Sequence, residues 1–173
     1  MTQMIPAWVD GQLQPVEKRQ THLLGLRHKA VSVFLIRRGE ILLQRRALGK
    51  YHTPGLWANT CCTHPAWEED ALTCAIRRLK EELGIDGVIP EHRNTVEYRA
   101  DVGGGMIEHE VVELFVAEVG ALTLAPNPDE VMDTAWMSVP DLTRALEKTP
   151  ERFTPWLKIY MQKHAQDILR KVP

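Results

Sequence analysis

The chain of 173 residues contains no apolar run long enough to span a bilayer. Its first ten residues, Met1 to Asp10, carry an acid and a proline instead of the basic and then apolar pattern of a secretory signal. We therefore expect neither a membrane segment nor a membrane partner. Cysteine is also scarce, and two of the three cysteines, Cys61 and Cys62, are adjacent, which makes a poor set for disulfides. This usage predicts a protein of the reducing cytoplasm.

A large excess of charge of either sign is absent as well. The formal net charge is -2, which argues against nucleic acid as a partner, although a small anion needs only a local group of cations. The chain also lacks internal repeats, low-complexity tracts and linkers that would divide it. We therefore predict a monomer with one domain over residues 1–173. Its core would span residues 28–147, with an N-terminal segment and a C-terminal helix packed on it.

The apolar pattern alternates between strand-like and helix-like segments. Ala30–Ile36 and Ile41–Gln44 are rich in strand-forming residues and flank a short polar segment, which predicts a β-hairpin. Glu68–Leu83 places its apolar residues on one face and is followed by Gly84, which predicts a helix. Further strands are predicted at residues 94–101 and 106–119, and further helices at 141–147 and 156–169. The mixture predicts an α+β fold in which a mixed β-sheet lies between helices.

Cys62 and His64 lie two residues apart in a segment that ends at Pro65. In an extended backbone their side chains point to the same side, while those of Cys61 and Thr63 point to the other. A thiol beside an imidazole is typical of a nucleophile, an acid–base pair or a metal site. By itself the segment is better explained by a buried cysteine and a surface histidine.

Glu108 and Glu110 would share one face of a strand, with His109 on the opposite face. Alternating polar residues usually mark a solvated strand face. Here, however, the same face continues through apolar residues, and two carboxylates buried without a cation are costly. The pattern therefore favours a function for the two glutamates.

His22 and His28 flank the first predicted strand, where either histidine alone would be an ordinary surface residue. Together with His64 and the two carboxylates of Glu108 and Glu110 they would form a set of three imidazoles and two carboxylates. Such a mixed set suits Mn²⁺, Fe²⁺ or Zn²⁺ with more than four ligands. Spacing along the chain does not show that the five residues meet.

Arg78 and Glu82 lie at positions i and i+4 of the predicted helix. An exposed ion pair of this kind contributes little to stability. The same pair could instead hold a diphosphate and its Mg²⁺, because Mg²⁺ commonly binds one or two carboxylates and ligand phosphates. Other cations, which more often serve solubility than ligand binding, are Lys18, Arg45, Arg46 and Lys50.

Taken together, these residues make the chain resemble the type 1 isopentenyl-diphosphate isomerases of the Nudix superfamily, from Lys18 to Trp156. The segments that carry the resemblance are 45–48 (RRAL), 54–57 (PGLW), 59–65 (NTCCTHP), 82–84 (ELG), 108–110 (EHE), 129–133 (DEVMD) and 153–156 (FTPW). Each is weak evidence alone, but their order and spacing are highly specific.

The resemblance implies an isomerase of isoprenoid biosynthesis that converts isopentenyl diphosphate to dimethylallyl diphosphate through a tertiary carbocation. Cys62 and Glu110 would be the catalytic pair, with Tyr98 bonded near Glu110 and Trp156 facing the hydrocarbon. A first metal ion, Mn²⁺, Mg²⁺ or Zn²⁺, would be bound by His22, His28, His64, Glu108 and Glu110. A Mg²⁺ ion held by Glu82 would bridge to the substrate diphosphate. The same diphosphate would be contacted by Lys18, Arg46, Lys50 and Arg78.

The chain departs from the Nudix signature at two positions, since Thr63 replaces its first glycine and Arg78 replaces a metal-binding glutamate. The second change weakens the case for a pyrophosphohydrolase and suits an isomerase. His109 is expected to point away from the glutamates, and His52 is expected to lie in a loop that the family does not use for metal. The alternatives that remain are a Nudix hydrolase of nucleoside diphosphate derivatives and a non-catalytic metal-binding or interaction domain. A flavin-dependent isomerase does not fit, because no glycine loop suited to flavin phosphate is present.

Overall fold

The strands of the chain form one mixed β-sheet, and helices pack on both of its faces. The computed structural model describes residues 3–170. Within that range the strands are β1 (Met4–Val9), β2 (Gln12–Glu17), β3 (Arg27–Arg37), β4 (Glu40–Arg46), β5 (Trp57–Ala58), β6 (Cys61–Thr63), β7 (Glu91–Gly103), β8 (Met106–Glu118) and β9 (Val131–Ser138). The helices are α1 (Lys18–Leu24), α2 (Ala71–Leu83), α3 (Val139–Lys148), α4 (Pro155–Lys163) and α5 (Ala165–Leu169), with a 3-10 turn at Pro150–Arg152.

Strand β3 is the centre of the sheet. It runs parallel to β8 and antiparallel to β1, β4 and β6. Its side chains alternate between two cores: Val31 and Leu35 pack in the cluster that contains Leu79 of α2, whereas Phe34 packs in the cluster that contains Trp156 of α4. A strand that is covered on both faces reads as a continuous apolar run, as this one does. The predicted α+β fold with a sheet between helices is therefore confirmed.

The predicted hairpin and helices are present, with different limits. The hairpin pairs β3 with β4 only near its turn, at Ile36 with Ile41, because further from the turn β3 pairs with β6 and β4 pairs with β5. Helix α2 begins at Ala71 and not at Glu68, because the Asp70 side chain accepts the Thr73 N–H at 2.9 Å and caps the helix there. The predicted helix over 156–169 is two helices, α4 and α5, that meet at residue 164.

Elements that sequence patterns did not predict are the β1–β2 hairpin, α1 and β9. Helix α1 is short, but both of its ends are capped. The Glu17 carboxylate accepts the N–H groups of Arg19 and Gln20 at 2.9 and 2.7 Å, and Gly25 ends the helix at φ 60°. None of the helices in residues 3–170 combines the length and the apolar character that crossing a bilayer requires.

Candidate active site

The register of three adjacent strands brings the candidate residues to one place. His28 on β3 is the register partner of Glu110 on β8, and Glu110 in turn pairs with Tyr98 on β7. Ser32, four residues further along β3, pairs with Cys62 on β6. Because side chains two residues apart share a face of a strand, these groups converge above the same part of the sheet. Helix α1 adds His22 from the connection that precedes β3.

Three histidines form a buried triad. Their ring centroids lie 4.7 Å (His22–His28), 5.0 Å (His22–His64) and 5.1 Å (His28–His64) apart. The Nδ1 atoms of His22 and His28 donate to the carbonyl oxygens of Lys18 and Leu26 at 2.6 and 2.7 Å. These bonds fix the tautomer, so each ring presents the lone pair of Nε2 to the other residues of the triad.

Unpaired ring nitrogens mark the triad as a ligand set. The Nε2 atoms of His22 and His28 and the Nδ1 atom of His64 are buried and find no hydrogen-bond partner among residues 3–170. Burial, followed by the neighbouring His28, lowers the pKa of His22 to about 4. Burial likewise moves the pKa of His64 well below its ordinary value. The imidazoles of His22 and His64 are thus neutral at pH 7, which is the form that binds a metal ion.

Glu108 and Glu110 are both fully enclosed, with 2% and 1% of their surface exposed. One hydroxyl, that of Tyr98, lies 2.8 Å from a Glu108 oxygen and 2.7 Å from a Glu110 oxygen. The other Glu110 oxygen, Oε1, lies 2.9 Å from His64 Nε2 and 3.6 Å from His28 Nε2. The prediction that the two glutamates share a buried face, and that His109 points away, is confirmed, since His109 contacts Glu97 at 3.0 Å on the other face.

The two carboxylates differ in their electrostatic environment. Burial and the adjacent Glu110 charge raise the pKa of Glu108 well above its ordinary value. Burial opposes ionisation of Glu110 too, but the hydrogen bond with His64 Nε2 at 2.9 Å holds its pKa well below the usual range. Two adjacent buried carboxylates ionise together only if a cation accompanies them. The set of imidazole and carboxylate donors therefore fits a divalent metal ion.

His52 is a member of this cluster that sequence reasoning placed outside it. The residue does lie in a loop, but its side chain is buried, and its Nε2 atom lies 3.5 Å from Oε1 of Glu108. Its ring stacks on that of His22 with centroids 5.4 Å apart. Two groups of residues have donor atoms that all lie within 4.8 Å of one another, close enough to bind a metal ion. One group is His22, His28, His64 and Glu110, and the other is His22, His52 and Glu108. The loop has no periodicity from which the direction of a side chain could have been predicted.

Cations gather on the neighbouring wall of the same pocket. The sequence-predicted residues that line this pocket are Lys18, Arg46, Lys50, Cys62, His64, Arg78, Glu82, Glu108, Glu110 and Trp156. Burial, followed by the charges of Lys50 and Arg78, lowers the pKa of Lys18 to about 8. Cations that line one wall of a pocket form a binding site for a multiply charged anion. Arg45 is not part of the group, and its Nε atom donates to the Gly55 carbonyl at 2.9 Å.

Glu82 and Glu130 hold the arginine of this group in place. Arg78 donates to Glu82 at 2.7 and 3.1 Å and to Glu130 at 3.2 Å. Glu130 also pairs with Lys50. Glu82 is 4% exposed, and Gln44 donates to its second oxygen at 2.8 Å. The Arg78–Glu82 pair is therefore part of a partly buried network and not an isolated surface pair. Sequence reasoning listed Glu130 within a motif but assigned it no role.

Cys62 and Cys61 lie on opposite sides of β6, as strand alternation predicts. Cys61 is fully buried in the cluster beneath α2, whereas Cys62 lines the pocket. The Cys62 Sγ atom lies 3.1 Å from Ser32 Oγ, which in turn donates to the Tyr160 hydroxyl at 2.9 Å. Burial, followed by the charges of Glu110 and Glu108, raises the pKa of the Cys62 thiol well above its ordinary value. The thiol is therefore protonated at neutral pH.

Trp156 closes the pocket. Its indole is 1% exposed, and the Arg46 guanidinium lies 5.2 Å from the ring centroid. The His52 ring packs edge-on against the same indole at 5.9 Å. Of the predicted site residues, His22, His28 and Tyr98 lie behind the pocket wall and contact its lining residues. All the predicted site residues are therefore brought together in one region.

Comparison with known proteins agrees with this arrangement. A model of the NUDIX domain matches residues 26–157. An isopentenyl-diphosphate Delta-isomerase of Ruegeria pomeroyi is 63% identical over 166 residues, which cover 95% of this chain and 92% of that protein. One from Cereibacter sphaeroides is 60% identical over 173 residues, which cover 99% of this chain and 98% of that protein. The chain belongs to the isopentenyl-diphosphate Delta-isomerases of the Nudix family.

Solved structures share the fold of this isomerase family member at low sequence identity. A crystal structure of DR0079 from Deinococcus radiodurans superposes with a TM-score of 0.72 at 13% identity, and covers 93% of this chain and 98% of that chain. The MutT protein of Methanosarcina mazei gives a TM-score of 0.64 at 17% identity, and covers 82% of this chain and 94% of that chain. These likenesses concern the Nudix fold alone.

Proposed function

We propose that this chain isomerises isopentenyl diphosphate to dimethylallyl diphosphate, an activity that supplies isoprenoid biosynthesis. The observation that carries the proposal is the meeting of Cys62 and Glu110 with a cation-lined wall and an indole in one buried pocket. Moving the double bond requires one proton to be added at one carbon and another to be removed from a different carbon. Two acid–base groups around one pocket meet that requirement.

Two metal ions fit the donor sets. His22, His28, His64, Glu108 and Glu110 would hold the first, for which Mn²⁺, Mg²⁺ or Zn²⁺ is proposed, and the partnerless ring nitrogens within residues 3–170 support this. Glu82 would hold a Mg²⁺ ion together with the substrate diphosphate, as oxygen ligands favour. When bound, these ions supply positive charge that balances the carboxylates and the diphosphate.

The diphosphate is proposed to lie against the cations of the pocket wall, which are Lys18, Arg46, Lys50 and Arg78. The ion pairs of Lys50 and Arg78 with Glu130 keep both cations directed to the pocket in the absence of substrate. Side chains held in advance lose less entropy on binding. Glu130 is therefore proposed as a residue that positions the diphosphate contacts.

Proton transfer is assigned to Cys62 and Glu110, with the Tyr98 hydroxyl as the group that orients Glu110. Cys62 approaches from β6 and Glu110 from β8, on either side of the central strand β3. This separation suits an allylic rearrangement, in which the two protons move at different carbons. Ser32 holds the thiol through its 3.1 Å contact with the sulfur.

The intermediate of such a reaction is a tertiary carbocation, which water would capture. Trp156 is almost completely buried and covers the pocket, so its indole would exclude solvent. An indole face contributes about 2 kcal/mol or more of attraction to a desolvated cation. We propose that Trp156 stabilises the carbocation in this way.

The remaining assignments concern the protein as a whole. We propose one domain over residues 1–173 that acts as a monomer in the cytoplasm on a small diphosphate, with no nucleic acid or membrane partner. In support, one sheet connects β1 to β9. All three cysteines lie within the described residues and are free thiols, which suits a reducing compartment.

The experiment that tests the function supplies purified protein with isopentenyl diphosphate and Mg²⁺ in D₂O, and follows products by NMR. We expect dimethylallyl diphosphate that carries deuterium, and loss of turnover when a chelator removes the metal ions. Release of phosphate or of a monophosphate without an allylic isomer would instead identify a Nudix hydrolase.

Glu110→Gln tests the proton-transfer assignment, and Glu113→Gln is its matched control. Both residues lie on β8, but Glu113 faces the opposite side and accepts from His92 at 2.6 Å at the surface. We expect Glu110→Gln to lower turnover by about 100-fold or more with the fold retained, since general acid–base groups contribute this much. Equal activity in both variants would show that Glu110 takes no part in the reaction.

A further inference from the structure

His52 adds a fourth imidazole to the buried cluster formed by the histidine triad, Glu108 and Glu110. The loop between β4 and β5 carries it, and its ring enters between His22 and Trp156. The Oε1 atom of Glu108, which lies on β8, is 3.5 Å from the Nε2 atom of His52. No step of the proposed reaction uses this histidine, and the set of five ligands implied by the family resemblance does not include it.

The distances around His52 match those between ligands of one metal ion. In an octahedral site, two donor atoms that each lie about 2.1 Å from the ion are separated by about 3.0 Å when adjacent and by about 4.2 Å when opposite. The 3.5 Å between His52 and Glu108 falls in this range, as does the 3.6 Å between His28 and Glu110. The donor atoms of His22, His52 and Glu108 lie within 4.8 Å of one another, as do those of His22, His28, His64 and Glu110.

His22 belongs to both ligand groups of the cluster. Since Nδ1 of His22 is bonded to the Lys18 carbonyl, only its Nε2 atom is free to bind a metal. The donor atoms of the two ligand groups do not all lie within 4.8 Å of one another, but both groups include His22. Because its one free lone pair binds one ion, a bound ion has to serve both groups. An ion bound at that nitrogen would be held by His28, His64 and Glu110 from one group and by His52 and Glu108 from the other.

The backbone around His52 directs its ring inward. Arg46 donates to the His52 carbonyl at 3.1 Å, and the neighbouring Thr53 has a φ of 45°. A β-branched residue seldom adopts this left-handed conformation, because its side chain crowds the backbone there. Thr53 Oγ1 also lies 3.1 Å from His52 Nδ1, so that a bond there leaves Nε2 turned towards Glu108. Outer-shell contacts of this kind orient metal-binding histidines.

We propose that His52 is a ligand of the metal centre, bound through Nε2, which makes the centre one of four imidazoles and two carboxylates. The inference rests on the metal centre of the proposed function. A fourth neutral imidazole adds a nitrogen donor without adding charge. Nitrogen donors suit transition metals, whereas Mg²⁺ prefers oxygen. This chain is therefore expected to prefer transition metals over Mg²⁺ at this centre.

Co²⁺ is the probe that tests the proposal without reference to activity. Protein stripped of metal is loaded with Co²⁺, and the hyperfine-shifted, exchangeable N–H resonances of coordinated imidazoles are counted by NMR. Wild type is expected to show four such resonances, and His52→Gln three. Glutamine fills similar space without an imidazole, and His52→Asn provides a second, smaller replacement should glutamine disturb the fold.

Dissociation constants for Co²⁺ and Mg²⁺ complete the measurement. We expect His52→Gln to weaken Co²⁺ binding about 10- to 100-fold, and Mg²⁺ binding less. His109→Gln is the control, since His109 lies on the other face of β8, and should keep four resonances. Three resonances in wild type, with or without weaker binding in His52→Gln, would overturn the proposal and leave the five-ligand centre intact. No bound Co²⁺ in wild type would overturn the metal centre itself.

Discussion

The adjacent cysteines allow the role of the thiol in the reaction to be separated from its role in packing. Cys62→Ala tests the reaction, and Cys61→Ala tests packing. Cys61 is fully buried and touches the core beneath α2, whereas Cys62 lines the pocket. Removing the Cys61 sulfur by Cys61→Ala leaves a small cavity, with a cost near that of one buried methylene, about 0.5–1.5 kcal/mol. A domain stable by about 5–15 kcal/mol stays folded after such a loss. Turnover should therefore remain within about twofold of wild type.

Cys62→Ala should lose a similar amount of stability but most of its turnover. It removes the thiol and its contact with Ser32, which costs about 0.5–1.5 kcal/mol of stability. The loss of a general acid–base group is expected to slow turnover by about 10²- to 10⁴-fold, or about 3–5 kcal/mol of transition-state stabilisation.

The assay pairs urea unfolding with initial rates of isopentenyl diphosphate conversion at a temperature where both variants are folded. Equal losses of turnover in folded Cys61→Ala and Cys62→Ala would refute the assignment of the thiol. Wild-type turnover in Cys62→Ala would refute it as well.

Two further predictions concern the helix that carries the diphosphate contacts and the pH dependence of binding. A Cβ atom at Gly84, which has φ 67°, would lie 2.7 Å from Ala125 Cβ, whereas no described atom lies within 4 Å of one at Gly87, φ 75°. In urea denaturation the free energy of unfolding of both glycine-to-alanine variants should fall by about 1–2 kcal/mol, because alanine is strained in the left-handed conformation. Gly84→Ala should lose about 1–3 kcal/mol more because of the clash. Equal losses in the two variants would contradict the steric argument. Because burial lowers the pKa of Lys18 to about 8, its ammonium is charged below that pH and neutral above it. Calorimetric affinity for inorganic diphosphate should thus fall as pH rises through about 8, and Lys18→Arg should remove that inflection; an unchanged profile in Lys18→Arg would exclude Lys18 as its source.

Local patterns in the sequence were enough to identify several parts of the fold. The apolar run of β3 and the turn after it predicted the hairpin, because a short turn pairs the strands beside it. The one-sided apolar face and the capping residues predicted α2. Strand alternation separated Cys62 from Cys61 and paired Glu108 with Glu110, since side chains alternate in any strand. The identities of the predicted site residues also came from the sequence, through motif order and spacing.

Only the tertiary structure decided how these pieces meet. The parallel pairing of β3 with β8 places His28 beside Glu110, although 82 residues separate their positions in the chain, and no local pattern encodes that register. The direction of His52 depends on the Arg46 contact and the backbone of Thr53, so an irregular loop turned a side chain that was predicted to lie outside the site towards Glu108. The sequence alone thus determined which chemical groups are available and which face of each element they occupy, because those properties are local. Which groups share one pocket depended on strand register and loop conformation, because both are set by contacts between distant parts of the chain.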